Sequence, residues 1–273
     1  MEALRRPERR LVFPGFAPVP QLDVGAYERL AGEVNLLLGI DLNHYKPAQV
    51  WRRVNGFAAA RGLVDVDELV TRVRQDAALR QAFLDMLTIT VSEFFRNPEA
   101  WDALAEQFLR PMLHSQASVR IWSAGCSLGF EPFTIAMVVH ELAPATQTRV
   151  LATDVDETTL SRARNAIYTE AQMVGVSAAR KAQFFGSIAG GWEVRPEIRS
   201  LVTFRRHDLL ADQCDGTFDI IVCRNVVIYF TEGAKTDLYT RFCNALRPGG
   251  ILFMGATESI LNARTVGLVP AGR

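Results

Sequence analysis

The chain has 273 residues, 49% of them hydrophobic, and balances 30 basic against 30 acidic side chains. That length fits one large domain or two modest ones, and zero formal charge argues against a dedicated nucleic-acid binder, which carries a basic excess. No apolar run reaches the ~18 residues of a membrane span, and the N-terminus, with Arg5, Arg6, Arg9 and Arg10, lacks the apolar stretch of a secretory signal.

Residues 1–22 read as an irregular leader broken by Pro7, Pro14, Pro18 and Pro20. Residues 23–97 read as a small all-helical domain. Tyr27, Leu30, Val34, Leu37 and Leu38 recur at the three- and four-residue spacing of an amphipathic helix. Further helices are expected from Pro47 to about Arg61, from near Asp65, and over Leu79–Leu87, with no strand pattern between them.

The character changes in the remainder, 98–273. Strands are expected at Ser118–Ser123, Arg149–Thr153, Val202–Arg205, Phe218–Cys223 and Ile251–Gly255. Helices are expected at Pro132–Leu142, behind an Asp156 cap, and over 232–246, the last stopped by Pro248-Gly249-Gly250. Strands alternating with helices imply an α/β fold with a mostly parallel, doubly wound sheet. Residues 168–200 are mixed, with strand character at Trp192–Val194, and read as a small insertion. Cys126, Cys214, Cys223 and Cys243 lie far apart, and His44, His114, His140 and His207 show no ligand spacing. Reduced thiols, surface or structural histidines and no metal site are expected.

The turn Ser123-Ala124-Gly125-Cys126-Ser127-Leu128-Gly129 joins a strand to a helix, where open α/β sheets bind ligands. Its spacing is G-x-x-x-G, not the dinucleotide fingerprint G-x-G-x-x-G. Glu131 near the helix start would repel phosphates and attract a cation. S-adenosylmethionine carries an ammonium and a sulfonium and no phosphate. An ordinary glycine turn with Glu131 stabilising the helix start is the competing reading. Asp154 follows the second strand, 25 residues after Gly129, where an acid commonly accepts hydrogen bonds from ribose hydroxyls. Asp156 sits where a helix cap belongs, which leaves the ribose to Asp154.

Four segments then carry a family resemblance. Thr88–Arg96 (TITVSEFFR) resembles T-x-N-x-T-x-F-F-R, and Trp122–Ala136 (WSAGCSLGFEPFTIA) resembles WSAGCSTGEEPYSIA. Cys223–Phe230 (CRNVVIYF) resembles CRNVMIYF, and RPGGILFMGATES resembles KPGGLLFxGHSE. In order and separation these are similar to the chemotaxis receptor (CheR-type) protein-glutamate O-methyltransferases. The resemblance implies a Rossmann-like class I methyltransferase domain behind a helical domain, with S-adenosylmethionine as donor and S-adenosylhomocysteine as product. It further implies cofactor contacts from Thr90, Ser92, Arg96, Gly125, Glu131, Asp154, Asp208, Leu209, Asn225 and Val226. Tyr229 corresponds to a tyrosine near the methyl-transfer site.

Arg96 is expected to orient the acceptor carboxylate through paired hydrogen bonds, since a guanidinium matches that geometry. Phe94 and Phe95 are expected to pack in the core. The implied acceptor is a glutamate side chain of a chemoreceptor coiled coil or similar signalling protein, met by a basic helix that keeps Lys46, Arg52, Arg53 and Arg61. A cytoplasmic monomer that neither binds nucleic acid nor inserts into a membrane is expected.

The pattern departs at Thr90 for Asn, Leu128 for Thr, Phe130 for Glu, Asp208 for Asn and Ala256 for His. Those departures keep an alternative open: a weak or inactive relative that binds the donor or its product as a signalling interaction module. A methyltransferase for a small molecule or another protein is a third. Relatives continue past the position of VPAGR into a final apolar strand, so a short or cut last strand is expected.

Overall fold

The fold comes from a computed structural model that describes residues 21–88, 92–116, 118–145, 147–214, 216–256, 258–260 and 263–271. The leader therefore lies outside the described residues, apart from its last two positions.

Short polar side chains start the helices of the N-terminal half. Asp23 accepts the Ala26 amide at 3.0 Å and begins α1 (Val24–Leu38), which ends where Gly39 turns left-handed at φ 70°. Proline opens α2 (Pro47–Ala59), where its missing N–H costs nothing. Asp65 caps α3 (Val66–Gln75), with Asp67 and Glu68 in the positive first turn. Asp76 accepts the Ala78 and Leu79 amides, so α4 (Ala77–Thr88) starts two residues before the apolar pattern does. Leu30, Val54, Leu69 and Phe83 meet in one core between these four helices.

Next, α5 (Pro98–Leu104) runs through a π-helical stretch, Ala105–Leu109, into α6 (Arg110–Ser115). Trp101, Leu104 and Leu109 join the core of the sheet that follows. That sheet begins with β1 (Arg120–Ala124), α7 (Phe130–Leu142), β2 (Arg149–Asp154) and α8 (Glu157–Asn165). Asp156 caps α8 as expected, accepting the Thr158 and Thr159 amides at 2.9 and 3.2 Å. It also accepts Gln81 Nε2 from α4 at 3.2 Å, which ties the helical half to the sheet half.

The mixed region resolves into β3 (Ile167–Tyr168), α9 (Ala178–Phe184), β4 (Phe185–Ile188), β5 (Gly191–Val194) and α10 (Pro196–Arg199). Its strands pair antiparallel in the order β3-β5-β4. Then come β6 (Val202–Arg206), β7 (Phe218–Cys223), α11 (Glu232–Ala245) and β8 (Leu246–Met254). Among the described residues the main sheet has the order β6-β2-β1-β7-β8 with every pairing parallel. After Met254 the described residues hold a short 3-10 turn, Ala263–Val266, and no strand.

One expectation fails. Pro248-Gly249-Gly250 does not separate helix from strand: β8 begins at Leu246, directly after α11. Leu246 pairs with Phe218 and Ile251 with Ile220, so the intervening residues bulge out of register. Proline needs no ladder partner there and Gly249 takes φ 79°. Phe94 and Phe95 behave as expected: Phe94 is fully buried, edge-on to Phe130, Tyr168 and Phe185.

Asp156→Ala removes a helix cap and the link to Gln81 together. Stability in urea should fall by about 1–2 kcal/mol, and a loss under about 0.5 kcal/mol would show that neither contact matters.

Candidate active site

Strand order makes the crevice. The chain moves outward from β1 to β2 and β6, then returns to place β7 on the other side of β1. At that switch point the carboxyl ends of the strands open a cleft. It encloses about 1040 Å³ continuous with solvent.

One wall is the turn after β1. Gly125 stands at φ 81°, and a Cβ there would come within 2.6 Å of Val226 Cγ2. Only glycine lets the turns after β1 and β7 approach so closely. Ser127 is also left-handed, at φ 48°, and its amide donates to Asp154 Oδ2 at 2.8 Å. Asp154 Oδ1 accepts the Asp156 amide at 3.1 Å, so the end of β2 is pinned to the glycine turn. Burial raises the Asp154 carboxyl above its usual range, against these amide hydrogen bonds. Ser127 Oγ is buried with no hydrogen-bond partner among the described residues.

Glu131 lies in the first turn of α7, behind a Gly129 cap at φ 86°. Its Oε1 accepts Ser123 Oγ at 2.7 Å. Burial pushes its carboxyl up to about 7; the Ser123 bond and the Arg224 charge oppose this, and the Glu258 charge adds to it. Asp208 lines the cleft as well, one oxygen accepting the Leu210 amide at 2.8 Å.

Ser92, Arg96, Asn225 and Tyr229 also line the cleft. Glu258 Oε2 accepts the Asn225 and Gly255 amides at 3.0 and 2.7 Å, which holds Asn225 at φ 60°. Tyr229 ends the 3-10 turn Val227–Tyr229. Burial raises its phenol, opposed by the Arg53 and Arg96 charges. The helical half reaches this lining directly. Lys46 N donates to the Tyr229 carbonyl at 2.9 Å, Lys46 Nζ to the Ile228 carbonyl at 3.1 Å, and Thr231 N to the His44 carbonyl at 2.8 Å. Tyr45 lines the cleft with its ring edge-on to Phe230, centroids 5.2 Å apart.

Of the site residues expected from the sequence, Ser92, Arg96, Gly125, Glu131, Asp154, Asp208, Leu209, Asn225, Val226 and Tyr229 all line this one cleft. Thr90 lies outside the described residues. The sequence reading missed Tyr45, Ser127, His207 and Arg224, which line it too, and Glu258 behind it. Ser127, Arg224 and Glu258 sit inside or beside the quoted motifs. Tyr45 carries no such signal. His207 is structural as expected, buried and edge-on to Trp122, but also part of the cleft wall.

The arrangement suits an adenosyl sulfonium. Glu131, Asp154 and Asp208 line the cleft, so amino, hydroxyl and cationic groups find acceptors there. The acid at the start of α7 removes the usual attraction of a helix N-terminus for phosphate.

Comparison with known proteins agrees in kind. Residues 25–88 match the model of the CheR methyltransferase all-alpha domain, and residues 90–270 that of the CheR methyltransferase SAM binding domain. A chemotaxis protein methyltransferase of Listeria monocytogenes is 40% identical over 232 residues, 85% of this chain and 88% of that one. Chemotaxis protein methyltransferase 1 of Pseudomonas aeruginosa is 34% identical over 82% of this chain and 86% of its own. The chemotaxis protein methyltransferase of Salmonella typhimurium is 32% identical over 86% of this chain and 84% of its own.

Glu131 gives a pH test in the ligand-free protein. A carboxyl raised to about 7 from 4.5 makes the folded state hold the proton more tightly. The stability this contributes is full below about pH 4.5 and is lost as pH rises through about 7. Glu131→Gln, always neutral, should therefore gain stability relative to the parent between about pH 5 and pH 8 in urea unfolding. A difference that stays constant over that range would mean Glu131 titrates as an ordinary carboxylate.

Proposed function

The chain belongs to the CheR methyltransferase family, and from that premise we propose that it methylates glutamate side chains of a chemoreceptor-like protein, using S-adenosylmethionine and leaving glutamate methyl esters. The supporting observation is a single cleft whose lining brings together Glu131, Asp154, Asp208, Arg96 and Tyr229. The relatives carry methyltransferase names, and nothing in them favours a non-catalytic binding module.

The chemistry asks little of the protein beyond placement. When bound, the donor supplies an electrophilic methyl group on a sulfonium. A glutamate side chain has a pKa of about 4.3 and is already ionised at neutral pH, so no general base is required. Positioning alone can contribute about 7–11 kcal/mol. In our reading, Asp154 receives the ribose hydroxyls, Asp208 and Leu209 border the adenine, and Glu131 with the Gly125 turn receives the cationic end. Ser92, Asn225 and Val226 complete the donor site, and Thr90 is assigned to it by the motif. Arg96 orients the acceptor carboxylate at the donor's edge, and the Tyr229 hydroxyl borders the transferred group.

Residues 23–97 in this reading present the receptor through the basic face of α2, and 98–273 carry out transfer. The receptor segment is a cytoplasmic coiled coil, and the enzyme works beside it as a cytoplasmic monomer. No helix among the described residues is long and apolar enough to cross a membrane.

Calorimetry should show heat with both S-adenosylmethionine and S-adenosylhomocysteine, and labelled donor should leave base-labile methyl on a receptor cytoplasmic fragment. A folded sample giving no heat with either would overturn the reading. Arg96→Ala should lower kcat about 100-fold, equivalent to about 2.7 kcal/mol; an unchanged kcat would remove Arg96 from the reaction.

A further inference from the structure

The turn that carries Arg96 is held in an uncommon shape. Its neighbours Phe95 and Asn97 stand at φ 51° and 56°, the left-handed region that costs a residue with a side chain about 1–2 kcal/mol. Such backbone persists only where the surroundings enforce it. On one side, the Phe95 amide donates to Thr134 Oγ1 at 3.2 Å, and the ring is buried beneath the Arg180 guanidinium, 4.1 Å from its centroid.

On the other side the hold comes from the strand end after β7. Arg224, 8% exposed, donates Nη1 to the Arg96 carbonyl and Nη2 to Asn97 Oδ1, both at 3.0 Å. Trp101 Nε1 donates to the same Arg96 carbonyl at 3.1 Å. The Arg224 guanidinium itself rests against the adjoining Trp101 and Phe253 rings, 5.1 and 5.3 Å from their centroids. A buried guanidinium ordinarily pairs with a carboxylate; this one directs both terminal nitrogens at a turn. The Arg96 side chain makes no hydrogen bond or ion pair with another described residue, and it lines the cleft from this turn.

We propose that Arg224 is a positioning residue for methyl transfer: it clamps the 95–97 turn in its left-handed form and thereby sets the direction of the Arg96 guanidinium. The inference rests on the role given to Arg96 above. It also gives the strained turn a purpose, because the backbone at 95–97 sets the direction in which the Arg96 side chain leaves the chain.

The test is a double-mutant cycle on the full chain with a receptor cytoplasmic fragment. Arg224→Met keeps an unbranched side chain against Trp101 and Phe253 and removes both donated bonds. It should lower kcat about 30- to 100-fold alone, yet change it less than about twofold in an Arg96→Ala background, as expected of two residues acting through one contact. Arg224→Lys, which keeps the charge and one donor, should recover part of the loss. The Kd for S-adenosylhomocysteine, read by calorimetry, should shift by the same factor in Arg224→Met and Arg96→Ala to within about twofold. Asn97→Gly deletes one anchor where glycine accepts the left-handed φ without strain, and should lower kcat about 3- to 10-fold with the fold intact. Thermal melts confirm that each variant is assayed folded, and should Arg224→Met fail to fold, Asn97→Gly decides by the same comparison. A full kcat penalty from Arg224→Met in the Arg96→Ala background would mean that Arg224 acts on the ligands directly and would overturn the proposal. A folded Arg224→Met with parental kcat would do the same. Parental kcat in Arg96→Ala alone would instead sink the role of Arg96, and this inference with it.

Discussion

Two neighbouring parallel strands whose following helices leave on opposite faces govern this molecule. Ile121 of β1 packs with Phe133 of α7 in one core, while the adjacent Trp122 packs with Leu238 and Phe242 of α11 in another. The alternation of side chains along β1 thus feeds both faces of the sheet. Because α7 and α11 diverge, the turns before them part at the strand ends and leave the crevice. Its depth is limited by the meeting of Gly125 with Val226, where one added methyl would collide. Asp154 at the end of β2 and Glu131 in the first turn of α7 inherit their positions from this geometry, and burial raises both carboxyls.

The helical half completes the cleft rather than sitting apart from it. Its Ile40 and Tyr45 lie on the cleft wall, and its Lys46 main chain is joined to the Tyr229 turn. The two halves therefore share one edge of the cleft. The Arg53 guanidinium stands 5.7 Å from the Tyr229 ring centroid, so the basic helix itself looks onto that edge.

Much of this was readable in the sequence where local rules decide. The capping acids Asp65 and Asp156 announced their helices, and the apolar run FDIIVC announced β7, which is buried along its whole length. Reading failed where pairing is distant or punctuation ambiguous. The strands β3 and β4 are two and four residues long, too short to show a period, and exist only through antiparallel pairing with β5, the one strand of the three that the sequence suggested. Pro-Gly-Gly serves equally as a helix stop and as a strand bulge, and only the ladder between β7 and β8 distinguishes them. The same division holds at the cleft. Residues at strand ends were legible, because topology requires them there. Arg224 and Glu258 were not, because their partners are main-chain carbonyls and amides of other segments and, for Arg224, an uncharged amide at Asn97, none of which offers an opposite charge to notice. Tyr45 arrives from a 3-10 turn beside Lys46, whose ammonium partner Ile228 is 182 positions away.

The seam between the halves has a property of its own. Lys46 N to the Tyr229 carbonyl and Thr231 N to the His44 carbonyl are bonds between main-chain atoms, which every residue except proline can supply on the donor side. A seam written in backbone is indifferent to most of the alphabet. The side chains around it can therefore change while the seam keeps its main-chain bonds, so the surface of the helical half and the lining of the cleft can drift independently in this architecture.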